Sequence, residues 1–228
     1  MRDAVNIQAV QLVAAGLREL RQQVVFVGGA AISLYADDPG ADKPRPTSDI
    51  DLVIEMVGYG AYARLVQRLA ELGFHHAPED AVNCRYRYHG IVVDIMPTDV
   101  PALMPTNRWY LPGIKQAVQA ILPDGTRLSM LTAPYFLGTK FVAHDSRGGD
   151  PRTSKDFEDI VFLLDSRVHL VEEINAATND IRDFLKQRAM QLLHDPSGRE
   201  SIEAHLSPPI AVERAEVLVD RLRKIAGG

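Results

Sequence analysis

Residues 25–55 read VFVGGAAISLYADDPGADKPRPTSDIDLVIE, and the alternation DIDLVIE at their end decides the fold. In an extended strand successive side chains point to opposite faces, so Asp49 and Asp51 share one face while Ile50 and Leu52 share the other. Two carboxylates about 7 Å apart along one strand face repel each other, and stability alone does not select that arrangement. A divalent cation between them turns the repulsion into ligation. Hard oxygen donors on a rigid strand suit Mg2+ or Mn2+, completed by the phosphates of a substrate. Upstream, the apolar run VVFV ends at Gly28-Gly29, where bare backbone offers close approach and N–H donors to phosphate as the following helix begins.

Outward from this stretch the chain reads as two parts. The sequence predicts a helix over residues 4–20, carried by Val10, Val13, Leu17 and Leu20. VVFV and DIDLVIE are strands, separated by a loop in which Pro39, Gly40, Pro44 and Pro46 break regular structure. GAYARLVQRLAELGF is an amphipathic helix that ends near Gly73. RYRYHGIVVDIMP is two strands turning at His89-Gly90, and TRLSMLTAP is one more short strand. From residue 132 onward the predicted elements are helices: APYFLGTKFVAHD, SKDFEDIVFLLDS, one long VEEINAATNDIRDFLKQRAMQLL, and AVERAEVLVDRLRKIA. The expected class is α+β, with a mixed sheet flanked by helices over 1–130 and a helical domain over 131–228.

Composition limits the partners. A chain of 228 residues with a formal net charge of −5 lacks the basic excess of a general nucleic-acid or membrane binder, so any such contact falls to a local patch. Arg147, Arg152 and Lys155, in and after a glycine-rich loop, are the best candidate for one. The lone Cys84 excludes an internal disulfide and a cysteine-rich zinc site, which fits a reducing cytoplasm. No apolar run is long enough for a membrane span, and the N-terminus carries no signal-peptide core, so the expected location is cytoplasmic. The G-x-x-x-x-G-K-[ST] loop of P-loop NTPases is absent. His75, His76 and His89 lack metal-ligand spacing.

A third acid, Asp94, lies in the apolar run IVVDIMP, where burial is costly without a compensating metal or donor. Beside DIDLVIE it completes a triad able to hold metal ions that clamp an in-line phosphoryl displacement. Its alternative is an ion pair with Arg85 or Arg87.

A glycine pair opening a helix, followed by R-x-T-x-D-I-D-L at Arg45, Thr47, Asp49, Ile50, Asp51 and Leu52, resembles the DNA polymerase beta-like nucleotidyltransferase superfamily. Within it the chain is most similar to the AbiEii toxins of type IV toxin–antitoxin systems. Lys140 in LGTKFVAH and the helix start Lys155-Asp156-Phe157-Glu158-Asp159 match later features of that family. The resemblance implies metal-dependent transfer of a nucleoside monophosphate from an NTP to an acceptor hydroxyl, with a tRNA 3′ end as acceptor and an antitoxin as partner. It implies metal ligation by Asp49, Asp51 and Asp94, and phosphate binding by Gly28, Gly29, Arg45, Thr47 and Lys140. Asp156 would orient Lys140, and Asp159 would be structural. Two departures stand out: the spacing from Gly29 to Asp49 is long, and Gly29 occupies a position where relatives carry serine. Ser33 is the nearest substitute hydroxyl. Two alternatives accompany this reading, a small-molecule nucleotidyltransferase of the aminoglycoside-modifying kind and a non-catalytic nucleotide-binding module.

Overall fold

The computed structural model describes residues 6–38, 40, 42–80, 82–99 and 107–227. Residues 4 and 5 of the first expected helix and Pro39 of the loop lie outside the described residues. The chain forms two compact units, residues 1–34 with 45–132, and residues 35–44 with 133–228.

The first unit is built on a six-stranded mixed sheet. Its strands are β1 (Val24–Val27), β2 (Asp49–Val57), β3 (Arg85–Tyr88), β4 (Ile91–Asp99), β5 (Val118–Ile121) and β6 (Arg127–Met130), in the order β3-β4-β2-β1-β6-β5. β2 runs antiparallel to β1 and parallel to β4, and β1 runs parallel to β6. Helices α1 (Ile7–Gly16) and α2 (Tyr59–Glu71) pack against β2. Ile50, Leu52 and Ile54 of β2 are buried together with Val93 and Ile95 of β4, and this apolar demand fixes the register. At the β3–β4 hairpin His89 and Gly90 both have positive φ (47° and 81°), the backbone of the two-residue turn that the sequence predicts.

In the first unit one expected helix is replaced and two elements appear that the sequence does not predict. AAISLYA is not the start of an α-helix; Gly29–Leu34 is a 3₁₀ turn packed against β1 and β2. β5, unmarked in the sequence, is an edge strand whose side chains are mostly exposed, so it carries no apolar alternation to read. A short helix, α3 (Tyr110–Lys115), forms despite Pro112 and Gly113.

The second unit contains α4 (Ala133–Arg147), α5 (Lys155–Ser166), α6 (Leu170–Ala176), α7 (Asn179–His194), α8 (Gly198–Glu203) and α9 (Ala211–Gly227). The long helix expected over 171–193 is two, α6 and α7. Ala177 and Thr178 are extended (ψ 167° and 150°), and the Thr178 hydroxyl pairs with Tyr135 Oη at 2.8 Å. The loop 35–44 belongs to this unit through polar bonds. The Asp37 and Asp38 amides donate to the Ser166 carbonyl, Asp38 pairs with Arg214 at 2.7 Å, and Asp42 accepts from the Ser207 amide. Arg214 holds the Asp38 carboxyl below its usual range.

Candidate active site

The sheet register brings the three acids together. Asp51 stands opposite Asp94 across the parallel β2–β4 pair, and Asp49 lies two residues back on the same face. One oxygen from each of Asp49, Asp51 and Asp94 lies within 4.8 Å of the others. Next in the same row, across the antiparallel β3–β4 pair, is Arg85. Its Nε and Nη2 donate to the two Asp94 oxygens, each at 2.8 Å. Asp94 therefore lies with the other two acids and pairs with Arg85 at the same time. The carboxylate bond raises the Arg85 pKa above its ordinary value. Beneath this row Cys84 is buried, and desolvation pushes its thiol up to about 12, so it stays a neutral thiol.

Gly28 closes the triad from β1. Its φ is +70°, and a Cβ placed on it would lie 1.9 Å from Asp51 Oδ2. No other residue leaves room for that carboxylate, and the left-handed backbone disfavours side chains independently. Gly29, buried, starts the 3₁₀ turn directly after it. The R-x-T segment is anchored by Asn6, which is buried on α1's N-terminal side. Its Nδ2 donates to the Arg45 carbonyl at 3.3 Å, and its Oδ1 accepts from the Thr47 amide at 3.1 Å. The Thr47 hydroxyl donates to the Asp49 carbonyl at 3.3 Å, tying this segment to the start of β2. Ser33 Oγ is enclosed and has no hydrogen-bond partner, so in this arrangement it offers nothing to a phosphate.

The donor set fits a hard divalent cation: three carboxylates, two of them on one rigid strand, with oxygens close enough to share an ion and no sulfur or imidazole among them.

In the second unit Lys140 on α4 is buried, and its ammonium lies 2.6 Å from Asp159 and 3.6 Å from Asp156, both on α5. Asp156 also pairs with Arg147, and Lys140 lies 5.5 Å from the Phe136 ring. The sequence reading gives Asp156 as the residue orienting Lys140; Asp159 is the closer partner. With side chains only 9% and 2% exposed, Lys140 and Asp159 form a pair that is expensive to break from one side. Lys140→Met is expected to lower the stability of the chain by about 3 kcal/mol in urea unfolding. A loss under about 1 kcal/mol would mean that the two carboxylates do not depend on the ammonium.

Residues 11–223 match the family described as nucleotidyl transferase AbiEii toxin, Type IV TA system. The chain belongs to the AbiEii family. An antigenic nucleotidyltransferase-like protein from Paracoccidioides brasiliensis is 19% identical over 90% of this chain and 95% of its own, with a TM-score of 0.51. The antibiotic-resistance factor ANT(2'')-Ia is 17% identical over 84% of this chain and 97% of its own, with a TM-score of 0.49. No curated protein sequence matches. The AbiEii match makes the chain a nucleotidyltransferase, and the α+β sheet with its flanking helices is that fold.

In this AbiEii member the basic patch expected from sequence is largely neutralised. Arg147 pairs with Asp156, and Arg152 with Asp150 at 2.6 Å and Glu200 at 2.9 Å, while Lys155 is exposed. No helix among the described residues is long and apolar enough to cross a membrane. The sequence does not reveal the Asn6 contacts or that Asp159 is the nearer partner of Lys140. Asn6 is 41 residues from Thr47, and nothing local marks the contact. The i,i+3 spacing of Asp156 and Asp159 does place both on one face of α5, a signal that was available.

Proposed function

We propose that this AbiEii nucleotidyltransferase transfers a nucleoside monophosphate from an NTP to the 3′ hydroxyl of an RNA, with tRNA the foremost acceptor, and that a cognate antitoxin restrains it. The observation that carries the reading is the convergence of Asp49, Asp51 and Asp94 on one sheet face beside Gly28. Asp49, Asp51 and Asp94 would hold Mg2+ or Mn2+, which when bound supplies charge neutralisation at the transferring phosphoryl group. Gly28 and Gly29 offer backbone, with no side chain, to the NTP phosphates. The acceptor oxygen forms a bond to the α-phosphorus, the bond from that phosphorus to the β-phosphate bridging oxygen breaks, and pyrophosphate leaves. Asp94 would accept the proton of the acceptor hydroxyl, and its pairing with Arg85, which fixes its orientation, supports that role. Arg45 and Thr47 frame the entry to β2, held there by Asn6. The roles of Lys140 as a point charge on the polyphosphate and of Asp156 in orienting it rest on the family resemblance.

The test is to incubate the protein with each α-labelled NTP, Mg2+ and total tRNA, in parallel with Asp49→Ala. Label is expected in tRNA with one preferred NTP and to vanish in the variant. Transfer to an aminoglycoside and to no RNA would replace the acceptor class; no Mg2+-dependent turnover of any NTP would leave only a nucleotide-binding module.

A further inference from the structure

The row Asp51–Asp94–Arg85 crosses three adjacent strands in register, so the acidic cluster ends in a cation supplied by the chain itself. Arg85 is not a surface arginine that happens to lie close. Its guanidinium engages both Asp94 oxygens at 2.8 Å through the planar fork, and Asp94 is itself buried. Three carboxylates with oxygens inside 4.8 Å repel strongly when no cation is present, and one positive charge in contact with the third offsets part of that repulsion. A carboxylate oxygen has two lone-pair directions, so the fork leaves room for a metal on Asp94. What the fork changes is charge: a divalent ion entering the cluster meets a guanidinium already there.

We propose that Arg85 is the built-in counter-cation of the triad: it stabilises the cluster in the absence of metal and lowers the affinity of the site for a divalent ion. Arg85 is then a positioning residue that acts through Asp94, and it keeps the free enzyme from holding metal tightly before the polyphosphate, with its own negative charge, arrives. This inference rests on the metal reading of the triad. It makes an unusual demand, because a mere brace for Asp94 and a competing charge have opposite signatures. Removing a brace loosens a ligand and weakens metal binding; removing a competing charge strengthens it.

Mn2+ binding to the full chain, followed by electron paramagnetic resonance of the free ion without nucleotide, separates the two. Arg85→Gln is expected to bind Mn2+ about tenfold more tightly than the wild type, since one nearby positive charge is gone. Arg85→Lys, which keeps the charge, is expected within about threefold of the wild type. Mn2+ should also raise the melting temperature of Arg85→Gln by more than that of the wild type. Unchanged or weaker binding by Arg85→Gln overturns the inference and leaves Arg85 a brace. If Mn2+ binds to the wild type and is lost in Asp49→Asn while Arg85→Gln matches the wild type, this inference alone falls. If neither wild type nor Arg85→Gln binds, the metal reading falls with it. A readout on the wild type needs no variant: the Arg85 Nε–H signal in 15N NMR should shift on saturation with Mg2+, and a signal that stays put overturns the proposal.

Discussion

Asp49→Asn is expected to reduce nucleotidyl transfer by about 10³-fold or more while making the metal-free protein slightly more stable. The loss of rate follows from removing one of two carboxylates that share a strand face and that, in the proposed function, would hold the cation at the transferring group. The gain in stability has the same origin. Asparagine keeps the shape and removes a charge from a cluster of three acids, relieving repulsion worth about 0.5–1 kcal/mol. Thermal melts in EDTA should therefore rise by about 1–3 °C, whereas the wild type alone should be stabilised by added Mn2+. A variant that loses activity because it unfolds would show the reverse, a lower melt in EDTA. That outcome would make Asp49 a structural residue.

Gly28→Ala carries the second large effect. The new methyl would fall 1.9 Å from Asp51 Oδ2, so Asp51 must rotate or β1 must shift. The backbone at φ +70° adds about 1–2 kcal/mol of strain for any L side chain. Transfer should fall by about 10²-fold or more, because Asp51, a metal ligand in the proposed function, would leave its productive geometry if displaced by about 1 Å. Stability in urea should fall by about 2 kcal/mol. The control is Gly90→Ala, at φ +81° but with open space around its would-be Cβ, which should cost stability alone and leave transfer intact. Equal activity losses at the two glycines would show that backbone strain, not the Asp51 contact, matters at Gly28.

The parts of the fold that the sequence displays are those whose local chemistry repeats. DIDLVIE shows its two faces because Ile50, Leu52 and Ile54 are buried on one while Asp49 and Asp51 are not buried on the other, and His89-Gly90 shows its turn because few residue pairs accept positive φ at both positions. β5 is hidden for the opposite reason: an exposed edge strand buries no face, so Val118–Ile121 has no alternation. The break between α6 and α7 is hidden because a helical apolar period runs through AATND, and the Tyr135 bond that anchors Thr178 comes from another helix. The same division applies to the candidate site. Asp94 is legible as an acid stranded among Val93 and Ile95, and Gly28 as a turn, but the contact that demands glycine there is made by Asp51, across a strand pair. Asn6 and Asp159 serve through contacts set by tertiary structure, and Ser33, plausible by proximity in the chain, turns its hydroxyl into an enclosed position. The loop 35–44 reads as a spacer between two halves of one motif, yet its aspartates bind α9, Ser166 and Ser207 of the helical unit.

The most direct measurement is the anomalous scattering of Mn2+ in crystals of the chain grown with a non-hydrolysable NTP. The expected result is a manganese ion with one oxygen from each of Asp49 and Asp51 at about 2.0–2.2 Å and a polyphosphate oxygen completing its shell. Manganese bound elsewhere, or a nucleotide seated with no ion between Asp49 and Asp51, would contradict the assignment of this sheet face as the site of nucleotidyl transfer.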